Sequence, residues 1–469
     1  MHLPSSLKTN TWWKHISIEP AYALYWIADY QSTFYQQNLI LQKACRINAT
    51  HEPDLYTPCD DEKKGLAFVA FVNSWFHLIS AIIVTLLCAV YIKWSDRAGR
   101  QRKFILILPT IGLNLMILSS FLHAFFWTLD PIYSVITYEL MQFFTGGPIL
   151  YYFAAMLYIS DVSSAENRTA RLGVLATMQY ICLPVGNVCS GFILKQLGFT
   201  KSFLISFIIS MGALVLGIRY IKDVSEPVEK KTPFWKSLNP INITSAIEVV
   251  FKKRRNNLRL ILNIMLVAKI LVLFSRAGEK SVLYIYMRHC FHWDERQYSF
   301  FDAFKNTGVI IGVLISMLLF SKYMKMHDVK IALFSSVWDT AAAISYLFAS
   351  QSWQFYVIAI LDMFHGAAFL AAKSYTTKIV ETSELGNLTS VSALLSFISF
   401  LNKPTYNLLF KSYMDIFPNC FFLVSIAICI LSCISFATCL VLLKENEKLD
   451  EAVFSKKQLD GEKTVKSIK

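Results

Sequence analysis

Charge is what this chain has least of. Asp, Glu, Lys and Arg make up 16% of its 469 residues, against 55% hydrophobic and 14% aromatic, where a soluble protein of this size carries about a quarter charged residues. That deficit excludes an ordinary water-soluble domain and puts the chain in the membrane class. Metal-binding patterns are also missing. There is no Cys-x-x-Cys pair or spaced Cys/His set, and His289, His292 and Asp294 sit on a short loop that falls short of a four-ligand zinc site. No metal and no cofactor is expected. No nucleophile stands beside a base, which argues against an enzyme. The first 17 residues are polar and lack a small-residue cleavage site before the first apolar stretch, so no cleavable signal is expected.

What the chain has instead is long apolar runs separated by short basic turns. Residues 65–92 and 104–127 can each cross a bilayer. The twelve residues 93–104, KWSDRAGRQRKF, have room only to turn at a membrane face. Five of the twelve are Lys or Arg, and positive-inside bias puts them in the cytosol. The formal charge of +13 has the same origin, since basic residues gather in 93–103, 219–259 and after 443 without interleaved aromatics. It is not a nucleic-acid signal. Within the loop, Asp96, Gly99 and Arg100 resemble the signature between helices 2 and 3 of the major facilitator superfamily. In that family the carboxylate and arginine latch one conformation of a transporter. Their chemistry agrees, because Gly99 can adopt positive φ and Arg100 can make a forked pair.

Six spans are expected before a linker and six after it: 18–40, 65–92, 104–127, 132–160, 168–194 and 202–221, then 258–286, 299–320, 329–349, 353–378, 391–411 and 421–443. The fold class is therefore all-α, two six-helix halves (18–221 and 258–443) in the major facilitator plan. Residues 1–17, the linker 222–257 and the tail 444–469 are placed in the cytosol, the tail as a disordered segment. The linker's run Lys252-Lys253-Arg254-Arg255 reads as a solvated basic face. The first span carries Asp29 and several Gln and should not face lipid. The fourth is interrupted at Gly146-Gly147-Pro148. The sequon at Asn48 falls outside the cytosol, where it can be glycosylated; those at Asn167, Asn242 and Asn387 fall inside. Cys45, Cys59 and Cys290 also lie on the non-cytosolic side, where a disulfide can persist.

A narrower resemblance comes from four further blocks. Ile159-Ser160-Asp161-Val162-Ser163-Ser164 is followed by Arg168-Thr169 and Arg171; Ile18-Glu19-Pro20 precedes the first span; and Lys378-Ile379-Val380 stands before Glu384 and Gly386. These are similar to segments of solute carrier family 46, the proton-coupled folate transporter family. The resemblance implies that Asp161 and Arg168 belong with Asp96, Gly99 and Arg100 in the conformational latch. It places Lys373 where the folate transporter has a helix 10 arginine implicated in proton and substrate binding, and it implies a disulfide between the first external loop and the loop after helix 7, through Cys59 and Cys290. Two departures stand out. The family's proton-coupling helix 5 glutamate aligns with Ala176, and its helix 7 histidine aligns near Phe274 or Ser275.

Ionisable residues inside spans are costly, so each asks for a partner or a function. Here they are Asp29, Glu139, Lys269, Arg276, Glu279, Lys280, Asp302, Lys305, Asp339, Asp362 and Lys373. Arg276, Glu279 and Lys280 lie close enough along one helix either to pair locally or to hold an anion, and Asp302 with Lys305 repeats the spacing. Asp29 and Asp339 read as water-facing or snorkelled carboxylates. The sequence thus predicts a secondary transporter of organic anions, folate-like or related bulky conjugates, working by alternating access with Lys373 and Arg276 as cavity cations. Its partners are the lipid bilayer, the anion and, as a coupling ion, protons. With Ala176 unable to titrate, coupling would fall to Glu279, with Asp302 and Lys305 next. The alternative is a non-transporting receptor or an uncoupled facilitator on the same fold. The expected location is the plasma membrane or an endolysosomal membrane, with both termini cytosolic.

Overall fold

A computed structural model describes residues 18–46, 49–56, 59–97, 101–163, 168–222, 250–254, 256–380, 384, 388, 391–392, 395 and 401–466. Among them every long element is a helix and there is no strand. In chain order these are α1 Glu19–Cys45, α2 Glu62–Arg97, α3 Arg102–Phe125, α4 Pro131–Thr145, α5 Gly147–Val162, α6 Arg168–Tyr220, α7 Leu258–Phe291, α8 Glu295–Ile315, α9 Asp328–Phe348, α10 Ser352–Leu361, α11 Ala367–Ile379, α12 Asn402–Tyr413 and α13 Cys420–Lys466. A π-helical segment, Ser316–Tyr323, continues α8, and a 3-10 turn, Asp362–Gly366, joins α10 to α11.

Among the described residues nine stretches are long and apolar enough to cross a membrane. The twelve expected spans relate to them simply. The 27-residue α1 has the length but is too polar to register by hydropathy. α6 holds the fifth and sixth spans in one element, broken at Gly198 by φ 76°, a left-handed conformation that glycine adopts without strain. The eleventh lies partly outside the described residues.

The chain forms two compact units, Met1–Leu238 with Tyr284–Thr307, and Asn239–Leu283 with Gly308–Lys469. In the first unit α1 lies buried on both its polar and its apolar sides. Several of its polar groups are met internally, as a membrane interior requires. Gln36 donates to Ser134 Oγ at 2.9 Å and accepts from Ser120 Oγ at 2.8 Å, Ser206 Oγ donates to Gln31 at 3.1 Å, and Lys43 Nζ donates to the Leu129 carbonyl at 2.9 Å. α4 starts on Asp130, whose carboxylate accepts from the Ile132 amide at 2.8 Å with Pro131 in the first turn.

The disulfide differs from the expected one. Cys59 pairs with Cys45, their Cα atoms 5.7 Å apart, and Cys290 is a free thiol. The reason lies in helix length: α7 continues to Phe291, so Cys290 stands in its last turn instead of on the loop beyond. Cys45 is the last residue of α1, and the chain returns past it to begin α2. Within the closed loop Glu52 reaches back to α6, where its carboxylate accepts from the amides of Phe199 and Thr200 and, at 2.6 Å, from Thr200 Oγ1. The second half of α6 is thereby capped just after its break.

The second unit packs small residues of α11 (Ala368, Ala371, Ala372) against Ile261, Met265 and Val272 of α7 and Val329 and Ala332 of α9. Small side chains let the backbones approach closely. Gly312 of α8 is one such point, since a Cβ there would overlap the Met363 carbonyl. Lys252 and Arg254, expected in a solvated run, instead hydrogen-bond Glu384, Arg254 Nη2 at 2.8 Å from Oε2.

Candidate functional site

At the end of the first unit that carries the basic loop, the blocks singled out in the sequence meet. Arg102 Nε donates to Asp161 Oδ2 at 2.7 Å, and its Nη1 donates to Ser95 Oγ at 3.3 Å. Arg171 Nη2 donates to Glu19 Oε1 at 2.8 Å and Nη1 to Ser163 Oγ at 3.4 Å. The Ile-Glu-Pro, Asp-Val-Ser and Arg-Thr-x-Arg blocks therefore form one polar seam across the starts of α1 and α6 and the end of α5. Gly99 and Arg100 lie outside the described residues, as do the side chains of Asp96 and Arg168. Arg102 is the member that sequence reasoning missed. It stands two residues beyond Arg100, as the first residue of α3.

A second seam runs through the other end of that unit. Arg288 Nε pairs with Glu62 at 2.5 Å, its Nη1 pairs with Glu295, and Gln42 donates to the same Glu295 oxygen at 3.4 Å. Lys195 pairs with Asp294 between α7 and α8. Burial pushes the Asp294 carboxyl up, but Lys195 and the amides of Gln297 and Arg296 outweigh it and hold the group below its usual range. Asp302 is buried and accepts from Asn187 of α6, while Lys305, half-buried a turn later, acts electrostatically on Tyr298. Asn48, the glycosylation candidate, lies outside the described residues.

The second unit holds the cations. Lys269 and Arg276 are seven residues apart on α7, hence on one face. Lys269 is 5% exposed, donates to Ser392 Oγ at 2.8 Å, and lies close enough to the exposed Lys373 of α11 for the two charges to repel. Among the described residues none of the three forms an ion pair with a carboxylate. Glu279 is buried, where its charge acts on Tyr406 and Cys429, whereas Lys280, one residue on, is exposed.

Beside Arg276 the structure assembles a group that the sequence reading left scattered. The helix of α10 and α11 breaks at Asp362–Gly366, and Ser335 of α9 takes up the freed backbone, donating to the Phe364 carbonyl at 2.7 Å and accepting from the Ala368 amide at 3.0 Å. Asp339, one turn along α9 from Ser335, shares its face. In a 3-10 turn residues three apart eclipse, so Asp362 and His365 project together toward it. His365 Nδ1 lies 3.3 Å from Asp362 Oδ1 and 3.5 Å from Asp339 Oδ1. All three residues are buried, and among the described residues His365 Nε2 has no hydrogen-bond partner. Asp339 and Asp29 were expected to face water; they are 4% and 6% exposed, and Asp29 is enclosed by Tyr25, Tyr30 and Tyr138. The sequence signal for the cluster was the Asp362-x-x-His365 spacing inside an apolar run.

The family model of the Major Facilitator Superfamily matches residues 94–402. Among curated proteins, the chicken (Gallus gallus) "Lysosomal proton-coupled steroid conjugate and bile acid symporter SLC46A3" is 21% identical over 442 residues, 89% of this chain and 92% of that protein. A Drosophila melanogaster protein named "Probable peptidoglycan muropeptide transporter SLC46" is 24% identical over 362 residues, 73% of this chain and 68% of that one. Among solved structures, the human organic anion transporter MFSD10 superposes with a TM-score of 0.61 at 13% identity, covering 89% of this chain and 97% of that one. That likeness is one of fold. A multi-pass membrane transporter, and not an enzyme, is what the chain's helices and relatives describe. It belongs to the Major Facilitator Superfamily, with its curated relatives in solute carrier family 46.

Proposed function

We propose that this protein carries bulky organic anions across a membrane by alternating access, driven by proton symport. The observation that carries the reading is the pair Lys269 and Lys373, two cations held close together with no carboxylate partner among the described residues. Like charges at close range in a membrane protein are costly unless an anion joins them. Arg276, two turns along α7, extends the same positive face. The cargoes named for the relatives are steroid conjugates, bile acids and muropeptides. These are large, amphipathic and commonly anionic, and such anions fit a positive face. The lysosomal relatives favour an endolysosomal membrane with an acidic lumen, and the basic loops favour cytosolic termini. In this reading Asp96, Gly99, Arg100, Asp161 and Arg168 latch one conformation, with Arg102 as Asp161's direct partner.

The test is uptake of labelled taurocholate, estrone sulfate and a muropeptide by cells expressing the chain, at about pH 5 and about pH 7.5. At least one anion should enter, faster at acidic pH. Lys269→Gln and Lys373→Gln should each lower that uptake about tenfold, the worth of about 1.4 kcal/mol in a lost charged contact. Uptake untouched by either substitution would remove the anion site from these lysines.

A further inference from the structure

We propose that Asp339, Asp362 and His365 form one proton-binding site, and that this site, and not Glu279, carries the coupling proton. The inference rests on the proton-symport reading above and adds its location. Three buried side chains from α9 and the 362–366 turn converge with His365 Nδ1 held between two carboxylates at 3.3 and 3.5 Å, and Asp339 Oδ1 faces it without a completed hydrogen bond. A single Nδ1–H cannot serve both carboxylates at once. Among the described residues Asp339 Oδ1 therefore keeps acceptor capacity, in a place where leaving it unused is expensive.

Charge counting identifies the ligand. The groups that bear on the site are Arg276 and Glu279 from α7, Asp339 from α9, Asp362 and His365 from the turn, and the thiols Cys429 and Cys433 from α13. From α8, Val309 and Val313 close over Gly366, with the Arg276 guanidinium beside them. Glu279 acts on Cys429, at the rim of this group. Two carboxylates and Arg276 leave one negative charge when the imidazole is neutral. One proton brings those four groups to neutrality, and Glu279, at the rim, adds a further negative charge that favours it. Buried charge is least costly when balanced, so the cluster is set for a proton.

Arg276 gives the coupling its logic, because it borders both the triad and the face that carries Lys269. An anion that draws the guanidinium toward itself strips the triad of its counter-charge and raises its affinity for a proton. A bound proton in turn frees Arg276 for the anion. Each ligand thus favours the other by the same factor, as linkage requires.

The first measurement needs no substrate. Purified full-length protein in dilute buffer is titrated between about pH 7.5 and about pH 5, and Asp339→Asn and Asp362→Asn should each take up about one proton fewer than wild type. Equal uptake by wild type and both variants would overturn the site. The second uses the chain in liposomes with tritiated taurocholate. An inward gradient should concentrate the label by up to about tenfold per pH unit for one proton per anion. In Asp339→Asn, Asp362→Asn and His365→Gln the ratio should fall to about one while exchange of label at equal pH persists, and Glu279→Gln should keep the wild-type ratio. Triad variants that keep the ratio, or loss of it in Glu279→Gln alone, would overturn the assignment. Wild type that exchanges label yet ignores the gradient would instead refute proton symport itself.

Discussion

Arg102 is 3% exposed, and the Asp161 carboxylate 2.7 Å from its Nε is part of what makes that burial tolerable. Removing one partner of a buried pair costs about 3 kcal/mol. Asp161→Asn should therefore lower the melting temperature of the purified protein by several degrees and cut transport, and Asp96→Asn, in the proposed latch, should cut transport too. Normal melting and transport in Asp161→Asn would reduce the pair to an ornament of the loop. At this scale the sequence was legible where motif blocks were dense. Glu19, Asp161 and Arg171 were all in view before the structure joined two of them, Glu19 and Arg171, at 2.8 Å. It was opaque where a partner lay outside any block. Asp339 looked isolated because what encloses it comes from residues 23 and 26 positions later.

Among the elements, interruptions written in Gly and Pro were readable and those written in tertiary contacts were not. The break at Gly146-Gly147-Pro148 follows from composition. The break at 362–366 does not, since Asp-Met-Phe-His-Gly carries no proline and is held open by Ser335 and by the space left at Gly312. The same limit applied to Cys290, whose place depends on where α7 ends. The closed loop Cys45–Cys59 supports a prediction of its own. Closing a loop of about 15 residues is worth about 3 kcal/mol of chain entropy, so Cys59→Ser should lower stability by an amount of that order. Glu52→Gln, which weakens the cap at Phe199 and Thr200, should cost less, about 1 kcal/mol. Thermal melting of the two variants side by side checks the order; a Glu52→Gln loss exceeding that of Cys59→Ser would contradict it.

Across the whole molecule, composition showed the membrane class and the apolar runs the all-helical build, because hydropathy is read residue by residue and needs no partner, while the major facilitator plan came from the number of runs and the resemblance of the 93–104 loop. How the second half divides needed coordinates. Residues 284–307 pack with the first unit through Arg288, Glu295 and Asp302. Acidic pH also poses a stability question for the whole chain. Hydrogen bonds from Lys252 and Arg254 hold the Glu384 carboxyl below its usual range. A carboxylate so depressed contributes stability that is complete above its unfolded pKa, about 4.3, and is lost only as pH falls through the lower folded value. The melting-temperature gap between wild type and Glu384→Gln should thus stay constant from about pH 7.5 to about pH 5 and close below about pH 4. A gap that closes already at about pH 6 would contradict that sign.

The proposed activity is movement of an organic anion by this chain itself from one side of a membrane to the other. Counterflow measures that most directly. Liposomes holding the purified protein, loaded with unlabelled taurocholate and diluted into a trace of tritiated taurocholate at equal pH, should take up label to a transient overshoot that Lys269→Gln and Lys373→Gln diminish. Label that never exceeds the level in protein-free liposomes would contradict the account.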